Sequence, residues 1–207
     1  MHKKYFMPKQ FLDLGIHEQL QQSLVDLNIS VPTEIQEKTI PIVLHQKEDV
    51  VVLAKTGTGK TAAFGLPLLQ LIDVENNNIQ TLILAPTREL GQQIYNNLVS
   101  FASDSSKIEI ALLCGGTLIK PQIERLKTTT HLIVATPGRL VDLIKRDAID
   151  LKNIKYLVLD EADEMVSALK EEVDTIIKDI PKSRRTLLFT ATMSGAIKQL
   201  VLNYMSK

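Results

Sequence analysis

The chain has 207 residues, with 24 Lys and Arg against 24 Asp and Glu, so its formal net charge is zero. This length suits one α/β domain with a complete core, and the charge balance excludes a protein that holds nucleic acid by a general basic field. No apolar stretch approaches the roughly 18 residues of a membrane helix, and residues 1–10 lack the apolar core of a secretory signal. We expect a cytoplasmic protein, in which the single cysteine, Cys114, is a small buried residue at a strand end.

Two helices are predicted before the first strand. Apolar residues recur at helical spacing over residues 16–27. A second helix begins at Thr33, which is a good N-cap, and Gln36 stands three positions later, in the register of a capping box. Gln36 therefore has a purely structural role available. We expect Pro41 to interrupt this helix.

From residue 50 onward, short apolar runs alternate with helical segments. Runs this continuous are typical of strands covered on both faces, and the connections are long enough for parallel pairing. The predicted strands are residues 50–53, 81–85, 108–113, 132–135, 156–159 and 186–190, and the predicted helices are 60–72, 89–101, 120–126, 139–146 and 164–180. We predict an α/β fold in which residues 47–207 form a doubly wound, mainly parallel sheet with helices on both faces, preceded by a helical extension over residues 1–46.

The stretch VVVLAKTGTGKT, residues 50–61, indicates a phosphate-binding loop. An apolar strand runs into a loop in which Gly57 and Gly59 let successive backbone N–H groups point at phosphate oxygens, and the next helix adds its positive dipole end. In such a loop Lys60 reaches the β- and γ-phosphates of a nucleotide, and the Thr61 hydroxyl binds Mg²⁺. The alternative is a Gly/Thr-rich turn that closes with a solvated lysine.

Carboxylates follow another apolar strand, in the segment Asp160-Glu161-Ala162-Asp163. Ligands of open α/β sheets bind at the carboxyl ends of the strands, so these side chains are predicted to face the same crevice as the phosphate loop. Asp160 can hold Mg²⁺ directly or through water, and Glu161 can orient and deprotonate a water aimed at the γ-phosphate. The alternative is an acidic first helical turn that the helix dipole favours.

Together these motifs resemble the N-terminal RecA-like domain of the DEAD-box RNA helicases, which are phosphate-loop NTPases. The matching motifs follow the family's order and span most of the chain: PTEIQ (32–36), AKTGTGKT (54–61), PTREL (86–90), GG (115–116), TPGR (136–139), DEAD (160–163) and TAT (190–192). Each short motif is weak alone, but seven in order are highly specific. The sequence departs from the family's usual pattern at Ala54, Gly91, Thr190 and residues 165–167, and none of these changes removes a chemical group on which the assignment depends.

The resemblance implies that the domain binds ATP with Mg²⁺. Gln36 would read the adenine edge through paired hydrogen bonds and Phe11 would stack on the base. Without the resemblance, the residues alone indicate a capping role for Gln36 and a core aromatic at Phe11. The hydroxyls of Thr190 and Thr192 would bond the Asp163 carboxylate and couple the nucleotide state to RNA binding. The implied nucleotide contacts are completed by the loop residues Thr56, Gly57, Thr58, Gly59, Lys60 and Thr61, with Lys60, Asp160 and Glu161 as catalytic residues.

The resemblance also implies an RNA surface. Its members are Pro86, Thr87, Arg88, Gly115, Gly116, Thr136, Pro137, Gly138 and Arg139. Hydroxyls, guanidinium groups and backbone N–H groups at helix starts suit phosphate and sugar oxygens. No aromatic residue is interleaved among them, so we expect little sequence preference, with RNA favoured through its 2′-hydroxyls. Taken singly, the arginines could be solvated helix starts and the glycines a turn.

In the family a second RecA-like domain follows and supplies an arginine to the transition state. We expect this domain to belong to a longer protein, to be monomeric when isolated, and to turn over ATP very slowly by itself. Two other classes of protein explain the motifs less completely. A small-molecule kinase would leave PTREL and TPGR unexplained, and a non-catalytic RNA clamp would not need the water-activating Glu161.

Overall fold

The structure is a computed structural model that describes residues 10–103 and 107–206. After a single 3-10 turn at Leu12–Leu14, the helices are α1 (Glu18–Asp26), α2 (Glu34–His45), α3 (Lys60–Gln70), α4 (Arg88–Phe101), α5 (Ile119–Leu126), α6 (Pro137–Lys145), α7 (Ala162–Ala168), α8 (Lys170–Asp179) and α9 (Gly195–Tyr204). The strands are β1 (Val50–Leu53), β2 (Thr81–Leu84), β3 (Ile110–Leu113), β4 (Leu132–Ala135), β5 (Tyr156–Leu159) and β6 (Arg185–Thr190). Residues 1–9 of the predicted helical extension lie outside the described part of the chain.

The six strands form one sheet in the order β1-β6-β5-β2-β4-β3, and every neighbouring pair is parallel. The predicted doubly wound α/β fold is therefore confirmed. The strand order follows from two directions of winding. The connections through α3 and α4 move the chain toward β3, and those through α5 to α8 bring it back toward β1.

Helices cover both faces of the sheet. Residues of α1 to α4 pack with Ile83 and Val158 in one apolar cluster, and residues of α5 to α9 pack with Leu82 and Leu84 in a second. Successive strand residues thus enter opposite clusters, as the pleat requires. Cys114 follows β3 and is buried, as predicted.

Two helix predictions are wrong, and both errors concern continuity. Helix α2 passes through Pro41 without a break. Proline removes one helical hydrogen bond, but the fully buried Ile40 and Val43 beside it hold the helix on the core.

The segment 164–180 is two helices, because Leu169 leaves the helical conformation (φ −133°, ψ 28°) between α7 and α8. Both helices bury apolar residues in the second cluster, so packing sets the position of the break.

No helix within residues 10–103 and 107–206 has the length and apolar character needed to span a membrane.

Candidate functional site

The carboxyl ends of the six strands lie along one edge of the sheet, and this edge has two halves. Register pairs such as Leu53 with Thr190, and Leu84 with both Ala135 and Leu159, keep the strand ends level. The loops after β1, β6 and β5 carry the nucleotide motifs, and we call this side the nucleotide half. The loops after β2, β4 and β3 carry the motifs predicted to contact RNA, and we call that side the RNA half. The strand order therefore makes the loops of each half neighbours along this edge.

The phosphate loop connects β1 to α3, and its backbone requires two glycines. Gly57 and Gly59 have φ of 81° and 90°, in the left-handed region that glycine adopts without strain. Gly59 is the N-cap residue of α3, so the first turn of the helix begins at Lys60. A Cβ at Gly59 would lie 2.5 Å from the Gln36 Nε2 atom, whereas a Cβ at Gly57 would meet nothing within 4 Å.

Three buried charges meet at the mouth of this loop. The Nζ atom of Lys60 lies 2.5 Å from Glu161 Oε1 and 3.2 Å from Asp160 Oδ1. Lys60, Asp160 and Glu161 are 5%, 2% and 7% exposed. Charges buried to this extent persist only when they are paired and hydrogen-bonded. The three predicted catalytic side chains are thus in direct contact.

The backbone of Glu161 contributes to this arrangement. Its φ and ψ are both 51°, a left-handed conformation that is uncommon for a residue other than glycine. Glu161 occupies the N-cap position of α7, and its carboxylate Oε1 accepts a hydrogen bond of 2.9 Å from the Thr56 hydroxyl. The Asp160 carboxylate accepts a bond of 3.0 Å from the Glu161 N–H. Thr56 thus joins the phosphate loop to the acidic motif.

Burial and pairing act in opposite directions on the ionisation of this cluster. Burial alone would lower the pKa of Lys60, but the hydrogen bond to Glu161 and the charges of Asp160 and Glu161 outweigh it, so the pKa is raised. Burial raises the pKa of Asp160 above its usual value, and the nearby Lys60 ammonium only partly opposes this. A cation bound at Asp160 would therefore favour the carboxylate form.

A cavity of about 380 Å³ opens over these groups. It is lined by the predicted nucleotide residues Gln36, Thr56, Gly57, Gly59, Lys60, Thr61, Asp160 and Glu161, and by residues of α4. Thr61 and Asp160 supply a hydroxyl and a carboxylate to the same cavity, and such oxygen donors suit Mg²⁺. The residues present therefore fit a nucleotide with its magnesium ion.

Gln36 forms the predicted capping box and also touches the phosphate loop. Its Oε1 accepts a bond of 2.8 Å from the Thr33 N–H, and its Nε2 donates one of 3.1 Å to the Gly59 carbonyl. The Thr33 hydroxyl donates to the Thr58 carbonyl at 2.9 Å. An amide oxygen has a second lone pair and an amide nitrogen a second N–H, so Gln36 keeps one acceptor and one donor position for a base edge. The contact made by Thr33 was not anticipated from the sequence.

Phe11 lies in the first apolar cluster and is 4% exposed. It does not line the cavity over the phosphate loop. Its stacking on adenine stays a prediction, and it requires the ring to become accessible when the base binds.

Of the two threonines predicted to bond Asp163, only Thr192 does so. The Thr192 hydroxyl donates to the Asp163 carboxylate oxygen Oδ2 at 3.1 Å, and the other oxygen, Oδ1, is buried without a hydrogen-bond partner. We expected the Thr190 hydroxyl to bond Asp163 as well, but it donates to the Thr192 carbonyl at 2.9 Å. The reason is local, because Thr190 is fully buried at the last position of β6 and its hydroxyl reaches the turn that follows. Thr190 therefore shapes the turn that presents Thr192.

In the RNA half, two arginines bond the backbone of the loop that follows β3. Arg139 donates from Nη2 to the Thr117 carbonyl at 2.7 Å, and Arg88 from Nη1 to the Gly116 carbonyl at 3.5 Å. Gly116 has φ of 77°, and a Cβ there would approach Arg88 to 3.3 Å. The Nη1 atom of Arg139 is buried without a hydrogen-bond partner. The structure therefore brings Arg88, Gly116 and Arg139 together.

The remaining RNA-half residues lie at the start of α4 and α6. The Thr87 hydroxyl caps α4 by accepting from the Leu90 N–H at 3.2 Å, and Pro86 precedes it. Thr136 is the N-cap residue of α6, and its hydroxyl accepts from the Gly115 N–H at 3.2 Å. Pro137 and Gly138 form the first turn of α6, where Gly138 is exposed. Two helix N-termini thus lie beside the arginines.

Sequence reasoning missed Gln122, which organises the loop after β3. Its Nε2 donates to the Cys114 carbonyl at 3.0 Å and to the Thr117 hydroxyl at 2.9 Å, while its Oε1 is buried without a partner. A glutamine on the first turns of a short helix gives no signal of this role in the sequence, because the role depends on how the loop folds back.

Comparison with known proteins places this geometry in a family. The family model described as "DEAD/DEAH box helicase" matches residues 33–200. A solved structure of a DEAD box protein from the hyperthermophile Methanococcus jannaschii superposes with a TM-score of 0.91 at 38% identity, covering 96% of this chain and 54% of that one.

The names of similar curated proteins agree with this family match. The ATP-dependent RNA helicase CshA of Limosilactobacillus reuteri is 45% identical over 198 residues, covering 95% of this chain and 39% of the relative. The DEAD-box ATP-dependent RNA helicase CshA of Streptococcus pneumoniae is also 45% identical, covering 95% of this chain and 37% of the relative. The chain thus spans well under half the length of these relatives. It belongs to the DEAD/DEAH box helicase family and has the fold of that family's N-terminal RecA-like domain.

Proposed function

We propose that this chain is the ATP-binding domain of an ATP-dependent RNA helicase, and that it works in a longer protein with a second RecA-like domain. The observation that carries the proposal is the buried cluster of Lys60, Asp160 and Glu161 at the mouth of a glycine-rich loop. This cluster shares one edge of the sheet with Arg88 and Arg139 of the RNA half. Relatives named as ATP-dependent RNA helicases support it.

Nucleotide binding would rearrange the buried cluster. The phosphates enter the loop of residues 54–61, and the Lys60 ammonium exchanges its carboxylate partners for β- and γ-phosphate oxygens. Thr61 and Asp160 would hold Mg²⁺, which when bound neutralises charge that develops on the phosphate oxygens. Gln36 bonds the adenine edge with its remaining donor and acceptor, and this selects ATP over GTP.

Hydrolysis would then depend on Glu161. Once Lys60 has moved to the phosphates, the Glu161 carboxylate can accept a proton from a water that attacks the γ-phosphorus. The new P–O bond forms as the bond to the β-γ bridging oxygen breaks, and ADP is the leaving group. The left-handed backbone of Glu161 fixes the direction from which its carboxylate approaches that water.

RNA would bind across the other half of the edge. Arg88, Arg139 and the helix starts at Thr87 and Thr136 offer guanidinium and N–H groups for phosphate and sugar oxygens. Such contacts do not read bases, so little sequence preference follows. The bond from Thr192 to Asp163 lies at the acidic motif and offers a route by which nucleotide state influences the RNA half.

The isolated domain is expected to be a monomer that hydrolyses ATP very slowly. An arginine finger supplied in trans accelerates related nucleotide hydrolases by about 10³ to 10⁵, and the second domain would supply that group here. We place the protein in the cytoplasm, where ATP and RNA substrates occur together.

RNA-stimulated ATP hydrolysis by the longer protein tests this function. Glu161→Gln should retain ATP binding and lower the stimulated rate by about 10²-fold or more, because the general base is lost. Glu164→Gln is the matched control, since Glu164 is an exposed carboxylate on the same helix, and it should keep the wild-type rate. Hydrolysis that RNA does not stimulate, or a Glu161→Gln variant with wild-type turnover, would contradict the proposal.

A further inference from the structure

An exposed leucine follows the loop after β3, the edge strand of the RNA half. Leu118 is the N-cap residue of α5 and follows the loop of residues 114–117. Its side chain is 80% exposed, the highest value among the large apolar side chains that the structure shows as exposed in residues 10–103 and 107–206. Its neighbour Ile119 packs against the second apolar cluster, so the two residues face different surroundings.

The backbone beside Leu118 is held by side chains from two helices and by one side chain of the loop itself. Arg139 of α6 donates to the Thr117 carbonyl at 2.7 Å, and Gln122 of α5 donates to the Thr117 hydroxyl at 2.9 Å. The Thr117 hydroxyl in turn donates to the Cys114 carbonyl at 3.3 Å. The loop therefore presents Leu118 from a fixed position, and a ligand that covers this side chain has little backbone order left to impose.

The groups around Leu118 are suited to the backbone of a nucleic acid. Arg139 and Arg88 contact the two residues that precede it. Arg88 is exposed and has guanidinium N–H groups beyond the one that bonds the loop. Arg139 is half-buried, and its Nη1 atom has no hydrogen-bond partner. A strand whose phosphates meet these arginines must place a ribose or a base between successive phosphates. An aliphatic side chain that projects from such a surface has the chemistry to pack on that sugar or base face.

We propose that Leu118 packs against a ribose-base unit of the bound single strand, and so adds a contact that does not depend on charge. The inference rests on the proposed function, because it requires RNA to bind at this edge. It assigns to Leu118 a part of RNA affinity that phosphate contacts cannot supply, since those weaken as salt is added. A salt-independent contact helps to retain RNA at physiological ionic strength.

The test measures the affinity of the 207-residue chain for a ten-nucleotide oligouridylate by fluorescence anisotropy at several salt concentrations. Leu118→Ala should weaken binding by about 3- to 10-fold, the loss of part of one apolar contact, and leave the slope of log affinity against log salt unchanged. Leu118→Met should bind within about 2-fold of wild type. Leu202→Ala is the matched control, because Leu202 is 70% exposed on α9, near the opposite edge of the sheet.

Arg139→Ala should differ from Leu118→Ala in the salt dependence of its RNA affinity. It should weaken binding and make the salt slope less negative by about 0.7, the value for one lost phosphate contact on a single strand. All variants should melt with wild-type cooperativity, which circular dichroism checks.

The outcomes separate this inference from the proposed function. A wild-type chain that does not bind the oligonucleotide overturns the RNA assignment itself. A wild-type chain that binds, together with Leu118→Ala at wild-type affinity, overturns the inference alone. A Leu118→Ala variant that changes the salt slope as Arg139→Ala does would also overturn it, because the residue would then act through the arginines.

Discussion

The nucleotide half and the RNA half are built from the same strand-loop-helix unit but differ in where their charges lie. Lys60, Asp160 and Glu161 are nearly inaccessible and bond one another. Arg88 is exposed and Arg139 is half-buried, and both bond carbonyls of a neighbouring loop. Removing one partner from a buried charge cluster leaves the others uncompensated, whereas a surface guanidinium leaves only carbonyls that water can reach. Single substitutions should therefore lower the free energy of unfolding strongly in the nucleotide half and weakly in the RNA half.

The largest effect is expected at Lys60. Lys60→Ala should weaken ATP binding by at least about 30-fold, or roughly 2 kcal/mol, because charge-assisted bonds to phosphate are lost. The measurement is isothermal calorimetry with Mg²⁺. Lys55→Ala is the control, since Lys55 belongs to the same loop but is exposed, and it should bind ATP nearly as wild type does. Unchanged affinity in Lys60→Ala would remove the phosphate-loop assignment.

The next comparison is between two glycines of the loop, whose alanine variants should differ in unfolding free energy by about 1 to 2 kcal/mol. Alanine at a left-handed position costs about 1 kcal/mol, and Gly57→Ala should show only this cost, because its Cβ meets nothing. Gly59→Ala should cost about 2 to 3 kcal/mol, since its Cβ also displaces the Gln36 amide from the Gly59 carbonyl. Thermal unfolding measures both variants. Equal destabilisation would show that the contact with Gln36 does not hold the loop.

The pH dependence of stability tests the burial of Asp160. The pKa of this carboxyl is raised in the fold, so its favourable protonated form is lost as pH rises through the folded pKa, and the folded state then bears the cost of the buried charge. Asp160→Asn carries no such cost. The stability of Asp160→Asn relative to wild type should therefore increase from pH 4 to pH 7 in denaturant titrations. If the stability gain of Asp160→Asn over wild type shrinks over this range, the Lys60 ammonium fully offsets the cost of burying the Asp160 carboxylate.

The smallest effect is expected in the RNA half. Arg139→Ala should lower the free energy of unfolding by no more than about 1 kcal/mol, the net value of one hydrogen bond to a carbonyl. The same denaturant titration applied to Lys60→Ala gives the direct comparison. If Arg139→Ala destabilises the domain as much as Lys60→Ala does, the contrast between the two halves fails.

The sequence could predict which residues reach the carboxyl edge, because alternating strands and helices place there every motif except PTEIQ, which precedes β1. The bounds of β1, β4 and β5 match the prediction to the residue, since each is a clear apolar run. The division of that edge into two halves could not be predicted, because it depends on the order β1-β6-β5-β2-β4-β3, which arises from the direction of each crossover.

Local rules failed where tertiary packing competed with them. The capping box of Thr33 and Gln36 is local and was predicted correctly. The passage of α2 through Pro41 reflects burial of its neighbours, and the bond from the Thr190 hydroxyl reflects the path of a turn. The left-handed backbone of Glu161 carries no sequence signal, since glutamate rarely adopts it.

The nucleotide half is proposed to bind adenine nucleotides through its phosphate loop and Gln36. Calorimetry of this domain with Mg²⁺ and ADP, ATP, GDP or GTP in turn is the direct test of that binding. We expect measurable binding of ADP and ATP and much weaker binding of the guanine nucleotides, because Gln36 has one donor and one acceptor position left for the adenine edge. Equal affinity for both bases would contradict the role of Gln36, and no binding of any nucleotide would contradict the phosphate loop as well.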